Sequence, residues 1–159
     1  MGREVAIGIQ NFNEIIENNY FYVDKTAFIK EWWNSGDSVT LITRPRRFGK
    51  TLTMSMVEQF FSVDYSGRGD LFEDLSIWND RGYHEIQGTY PVISLSFANV
   101  KEKTFQNTRD KICQLVVNLY SKYEFLLETN ILTKKDEEYF QRVPLDWSTT
   151  ESCISPRPR

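Results

Sequence analysis

The sequence predicts an α/β fold in which a parallel sheet is flanked by helices. Two runs rich in β-branched and aromatic residues, at 38–43 (SVTLIT) and 90–97 (YPVISLSF), are typical of strands. Segments with apolar residues at helical spacing alternate with these runs, and such alternation favours parallel strands joined by helices. Sheets usually contain about four to six strands, so two strands predict an incomplete sheet.

Two helices are predicted before the first strand. Residues 11–18 carry apolar side chains at helical spacing, and Asn11 is a candidate N-cap for this helix. Residues 25–33 form a second amphipathic segment, for which Asp24 is the candidate N-cap. We therefore expect two short helices, each begun by a capping side chain.

The remaining helices are predicted from the same periodicity. A helical turn or a short helix is expected at 71–78, and helices are expected at 52–61, 104–123 and 134–142. Thr133 is a candidate cap for the last of these, with Glu137 near the third helical position as in a capping box. Residues 148–159 (STTESCISPRPR) are polar and proline-bearing, which predicts a disordered tail. We expect one domain over residues 1–147, followed by this tail.

The composition narrows the class of protein. The 159 residues include 19 basic and 22 acidic side chains, and the resulting charge of −3 does not favour general nucleic-acid binding. Cys113 and Cys153 match neither a zinc-ligand nor a redox spacing. No run approaches the roughly 20 apolar residues of a membrane span, and the N-terminus lacks a signal-peptide pattern. A cytoplasmic protein without a membrane partner is expected.

Residues 44–51 (RPRRFGKT) carry the clearest chemical signal. They lie between the first predicted strand and the helix that follows, and Gly49, Lys50 and Thr51 match the end of the pattern G-x-x-x-x-G-K-[ST]. In such a loop the amides at a helix N-terminus bind phosphate, the lysine reaches the β- and γ-phosphates, and the hydroxyl binds Mg²⁺. The sequence therefore predicts a P-loop NTPase-like fold, with Thr51 as a magnesium ligand.

The loop departs from the pattern at its first position. Arg44 stands where the first glycine is usual, and Pro45, Arg46, Arg47 and Phe48 follow it. Because arginine adopts a left-handed backbone only at a cost, we expect a differently shaped start, with proline fixing the bend. The arginines can pair with phosphate oxygens. The alternative is a solvated basic turn. We predict that all eight residues of the loop contact the nucleotide.

These motifs carry a resemblance to a known family. The chain from about residue 7 to 143 resembles the AAA-ATPase-like domain of bacterial proteins that commonly carry a C-terminal PD-(D/E)xK nuclease-like domain. The resembling stretches are FYVDKTAFIKEW, SGDSVTLITRPRRFGKT, LTMSMVEQFF, LFEDLSIW and GTYPVISLSFANVK. In that family an arginine-rich start replaces the first glycine. The resemblance implies ATP and Mg²⁺ as ligands, with Lys50 on phosphate and Thr51 on the metal.

The resemblance also implies a feature that this sequence lacks. Family members continue to an apolar strand that ends in adjacent acidic residues of the type LIDEYD, which holds Mg²⁺ and positions the attacking water. No such strand follows Lys50 here, so no catalytic residue is predicted. We expect an ATP-binding module with little or no hydrolysis. The alternatives are a truncated, non-enzymatic fragment or interaction module, and a nucleic-acid-associated part of a nuclease-linked ATPase system, with the oligomeric state open.

The segment YVDKT at residues 22–26 leaves two interpretations open. Asp24 and Lys25 precede the first predicted strand and could approach the nucleotide or its loop. A helix cap for Asp24 and a solvated side chain for Lys25 are equally good interpretations.

Overall fold

The computed structural model describes residues 2–128 and 132–148, with backbone alone for residues 144–148. The chain divides into two compact units, Met1–Ser94 and Leu95–Arg159. Each unit is built mainly from helices, and the candidate phosphate-binding loop belongs to the first of them.

The first unit contains four α-helices and three short 3₁₀ helices among its described residues. The α-helices are α1 (Phe12–Glu17), α2 (Ala27–Ser35), α3 (Lys50–Phe61) and α4 (Gly82–Ile86). The 3₁₀ helices are Val63–Tyr65, Gly69–Leu71 and Ser76–Asn79. The helices predicted at 11–18, 25–33 and 52–61 are confirmed within two residues at each end. The helical turn or short helix expected at 71–78 takes the form of the 3₁₀ turns Gly69–Leu71 and Ser76–Asn79. The periodicity did not indicate α4.

The predicted parallel sheet is wrong for the described part of the chain. No strand forms there, and the β-type pairing is limited to one parallel bridge between Ser62 and Tyr90. Residues 38–43 make no backbone hydrogen bond to a neighbouring segment. Val39 and Leu41 are 86% and 83% exposed. A strand needs a partner for its ladder, and β-propensity reflects packing against neighbours that these runs lack. The P-loop NTPase-like sheet is therefore absent from residues 2–128 and 132–148.

An aromatic cluster forms the core of the first unit. Phe60 of α3 is fully buried, and its ring centroid lies 5.0 Å from that of Phe61 and 5.1 Å from that of Phe72. The ring of Phe72 in turn stacks on Phe12 of α1 at 5.1 Å. Other buried members are Ile29, Met56, Leu71, Ile77 and Tyr83. The C-terminal half of α3 is thus held from several sides, which fixes the direction in which its N-terminus points.

The second unit packs α5 (Phe105–Lys122) against α6 (Lys134–Ser148). The rings of Tyr120 and Phe140 meet at 4.8 Å, and Cys113 is buried. The helix predicted at 104–123 is confirmed, with the Thr104 hydroxyl accepting a hydrogen bond from the Asn107 amide at 3.2 Å. The helix predicted at 134–142 continues to residue 148.

The cap of α6 differs in one residue from the prediction. The amide of Asp136 donates to the Thr133 hydroxyl at 3.3 Å, and the Asp136 carboxylate accepts from the Thr133 amide at 3.3 Å. Asp136 therefore makes the reciprocal bond that was predicted for Glu137. Of the predicted tail, residues 149–159 lie outside the described residues. None of the described helices is both long and apolar enough to cross a membrane.

Candidate functional site

Residues 44–51 lead into the N-terminus of α3. Gly49 occupies the N-cap position, and its carbonyl accepts the first helical bond, from the Thr53 amide at 2.8 Å. The first amides of a helix have no intrahelical acceptor, and the helix dipole favours an anion at this end. The strand that was predicted to precede the loop is absent, but the loop-to-helix transition is formed.

Two residues of the loop have a left-handed backbone. Gly49 has φ 73°, as a glycine readily does, and Arg47 has φ 69°. Such a conformation costs a residue with a side chain roughly 1–2 kcal/mol. The sequence placed the unusual turn at Arg44, where the first glycine is missing, but the structure places it at Arg47. Strained residues of this kind cluster at ligand-binding sites, which makes the loop a candidate site on backbone grounds as well.

The ammonium group of Lys50 turns back onto the start of the loop. It donates hydrogen bonds to the carbonyl oxygen of Arg44 and, at 3.1 Å, to that of Pro45. These bonds close the loop on itself, with the positive charge held between its two ends. A phosphate group can replace backbone carbonyls as the acceptor, because a charged oxygen makes the stronger bond.

Two cavities border the loop, and Lys50 lines both of them. The larger has a volume of about 730 Å³ and the smaller about 250 Å³. The larger is lined by the N-terminal segment, residues 6–10, together with Arg46, Arg47, Gly49, Lys50, Thr51 and Leu52. The smaller is lined by Lys25, Ala27, Phe28, Glu31, Ile42, Arg44, Phe48, Lys50 and Thr53.

The loop residues predicted to bind nucleotide are therefore divided between the two cavities. Arg44, Pro45, Arg46, Arg47, Phe48 and Thr51 are exposed, whereas Gly49 and Lys50 are partly buried. Pro45 lines neither cavity, although its carbonyl holds the Lys50 ammonium. Residues 6–10 carry no charged or catalytic side chain, so nothing in the sequence indicated that they line the larger cavity.

Asp24 fixes the start of α2 through two backbone amides. One carboxylate oxygen accepts from the Thr26 amide at 2.8 Å, and the other accepts from the Ser76 amide at 2.8 Å. Burial opposes the charged form of Asp24, but the hydrogen bonds from Thr26 and Ser76 outweigh it and lower its pKa. Asp24 thus accepts hydrogen bonds at the start of α2, close to the capping role that one interpretation gave it. The N-cap position itself is occupied by Thr26.

Lys25 lies against the loop. Its Nζ is 2.9 Å from the place where a Cβ would stand on Gly49. The interpretation of Lys25 as a residue that approaches the loop is therefore the one that the geometry favours. A side chain at position 49 would displace this ammonium, which lies at the end of a flexible side chain, and the greater cost would come from the left-handed backbone.

The residues present fit a polyphosphate anion. Gly49 keeps the backbone open at the helix N-terminus, and Lys25, Arg44 and Lys50 line one cavity. Thr51, in the first turn of α3, is exposed and carries the hydroxyl that was predicted to ligate a metal ion. No group of three or more His, Cys, Asp or Glu side chains suited to a metal is found within residues 2–128 and 132–143.

Comparisons with known proteins identify the family of the chain. The chain is 34% identical over 115 residues to a protein of Azotobacter chroococcum mcd 1 described as an uncharacterized protein in the vnfD 5' region. The match covers 72% of this chain and 21% of that protein, so the chain spans about a fifth of its relative. No solved structure matches the chain significantly. The profile of the AAA-ATPase-like family, described as predicted AAA-ATPases, matches residues 6–150, and the chain therefore belongs to that family.

Proposed function

We propose that this chain binds ATP with Mg²⁺ through the loop at residues 44–51. The observation that carries the proposal is the arrangement of Gly49 and Lys50 at the N-terminus of α3, where a left-handed glycine opens the backbone beside a lysine. Helix amides, the helix dipole and a lysine together form a phosphate site. Membership of the predicted AAA-ATPase family supports a nucleoside triphosphate as the anion.

The larger cavity suggests how the nucleotide would lie. The larger joins the charged loop to the apolar side chains of Ile7, Ile9 and Leu52, which suits a ligand with an anionic end and a flat, weakly polar end. Lys50 would exchange its bonds to the loop carbonyls for bonds to phosphate oxygens. Thr51 would ligate Mg²⁺ together with the phosphates.

The proposal is limited to binding. None of the residues that line the larger cavity carries a carboxylate, and a carboxylate is the group that orients the attacking water or holds the metal in many nucleotide hydrolases. We therefore assign no hydrolytic residue among the described part of the chain.

Calorimetric titration of ATP and Mg²⁺ into the 159-residue chain tests the proposal. Lys50→Ala should weaken binding by about tenfold or more, because a charge-assisted hydrogen bond contributes roughly 1.5–3 kcal/mol. Lys101→Ala is the matched control, since it removes the same charge from an exposed position in the second unit. Affinity should fall from ATP to ADP to AMP.

Two results would contradict the proposal. One is an absence of ATP binding by the unmodified chain, and the other is an affinity that Lys50→Ala leaves equal to that of the Lys101→Ala control.

A further inference from the structure

We propose that Lys25 supplies a second ammonium group to the phosphate chain bound at residues 44–51. The inference rests on the proposed function, and it assigns a role to a residue that lies outside the loop motif. Lys25 reaches the loop from the segment before α2, about two dozen residues earlier in the chain.

The first support is the position of the ammonium. Lys25 Nζ lies 2.9 Å from the point that a Cβ on Gly49 would occupy, so it lies over the N-cap residue of α3. This is the place where the unpaired amides of the helix N-terminus face an anion. A phosphate group held by those amides would lie within reach of the ammonium.

The second support is the charge around the smaller cavity. Lys25, Arg44 and Lys50 line it, and Glu31 supplies the one carboxylate among its lining residues. Three positive groups and one negative group leave an excess of two positive charges. The ion pairs found among the described residues involve Lys30, Arg68 and Arg109, and not Lys25. Neighbouring like charges repel, and an anion with several charges relieves that repulsion.

The third support is the way in which the backbone on either side of Lys25 is anchored. Asp24 accepts hydrogen bonds from the amides of Thr26 and Ser76, each at 2.8 Å. Thr26 is fully buried, and its hydroxyl accepts from the Ile77 amide at 3.2 Å. The side chain of Lys25 therefore extends from an anchored stretch of backbone, and only this flexible side chain must adjust to a ligand. Such anchoring lowers the entropy that binding removes.

The two lysines would contact the phosphate chain from different sides. Lys50 belongs to the helix and is tied to the start of the loop, whereas Lys25 comes from a separate segment and covers Gly49. A longer phosphate chain can accept hydrogen bonds from both ammonium groups at once. The inferred role of Lys25 is thus to favour a nucleoside triphosphate over shorter phosphate esters.

The test compares ATP, ADP and inorganic tripolyphosphate, each with Mg²⁺, by calorimetric titration into the full chain. Lys25→Ala should weaken the binding of ATP and of tripolyphosphate by about tenfold, the usual effect of losing one charge-assisted contact. ADP binding should fall by less, so the preference for ATP over ADP should shrink. Lys25→Arg should retain most of the affinity, and Lys101→Ala should match the unmodified chain.

The outcomes separate this inference from the proposed function. If Lys50→Ala loses ATP binding but Lys25→Ala binds ATP like Lys101→Ala, the role of Lys25 is refuted and the proposed function stands. An equal loss for ATP and ADP in Lys25→Ala also refutes it, because no preference for the longer chain is then involved. If the unmodified chain binds neither ATP nor tripolyphosphate, both the role of Lys25 and the proposed function are refuted. A thermal unfolding midpoint for Lys25→Ala equal to that of Lys101→Ala shows that folding is unaffected.

Discussion

The two ends of helix α3 differ in surroundings and in role. Met56 and Phe60, near its C-terminus, are fully buried and Phe61 is 4% exposed. Thr51, in its first turn, is exposed, and Phe48 just before the helix is 59% exposed. One end is held by the aromatic core, and the other presents positive charge and amides to solvent. A single rigid element thus separates the residues that stabilise the fold from those that would bind a ligand.

Phe60→Ala is expected to have the largest effect on stability. Removing this fully buried ring deletes its contacts with Phe61 and Phe72 and leaves a cavity. The free energy of unfolding, measured with urea, should fall by about 3–5 kcal/mol. Phe48→Ala makes the same change at the other end and should alter the free energy by less than about 0.5 kcal/mol. Equal losses in the two variants would show that the two ends do not differ.

Asp24→Asn is expected to have an intermediate effect. An amide NH₂ would replace one of the two oxygens that accept hydrogen bonds from Thr26 and Ser76. Because solvent surrounds this exposed side chain, the free energy of unfolding should fall by only about 1 kcal/mol. Because the pKa of Asp24 is lowered in the fold, its contribution is present above its ordinary pKa of 3.8. That contribution is lost as pH falls through the lowered pKa.

Unfolding curves of the two proteins should therefore differ at pH 7 and approach each other below about pH 4. A difference that stays constant between pH 7 and pH 3 would show that the Asp24 charge does not stabilise the start of α2.

Leu41→Ser is expected to have the smallest effect. Leu41 is 83% exposed in a segment without a ladder, so the free energy of unfolding should change by less than about 0.5 kcal/mol. Ile29→Ala, at a fully buried position, should reduce it by about 2–5 kcal/mol and serves as the comparison. A loss for Leu41→Ser as large as that for Ile29→Ala would mean that residues 38–43 are buried after all.

The helices could be predicted because helical hydrogen bonds are local. The hydrogen bond from the Thr53 amide to the Gly49 carbonyl joins residues four positions apart in the sequence. The buried face of α3 follows from the spacing of its apolar residues. The same reasoning located α5 within a residue at each end. The exact position of the 3₁₀ turn at Ser76–Asn79 was not predictable in this way, because its amides bond to Asp24 and Thr26, which are distant in sequence.

The strands could not be predicted from composition, because a strand depends on a partner that the run itself does not contain. Val39 and Leu41 have high β-propensity yet remain exposed. Tyr90 finds a partner in Ser62 for a single bridge, and Ile93, farther along, is 67% exposed. Apolar alternation therefore indicates which residues could pair, but not whether a neighbouring strand is present.

The sequence predicted where the candidate loop lies in the fold but not its backbone geometry. The motif located Gly49, Lys50 and Thr51 at the start of a helix, as found. It did not predict the left-handed backbone of Arg47, since nothing in that side chain requires it. Nor could the motif decide between the two interpretations of Lys25, which depended on how the segment before α2 folds back onto the loop.

The glycine at the start of α3 has a consequence for sequence variation. Any other residue at position 49 would combine a left-handed backbone with a Cβ placed 2.9 Å from the Lys25 ammonium. Movement or shortening of the Lys25 side chain would remove this close contact but not the backbone strain, and restoring the glycine would remove both. Positions 25 and 49 are therefore not independent, and the effects of substituting them together will not equal the sum of the separate effects.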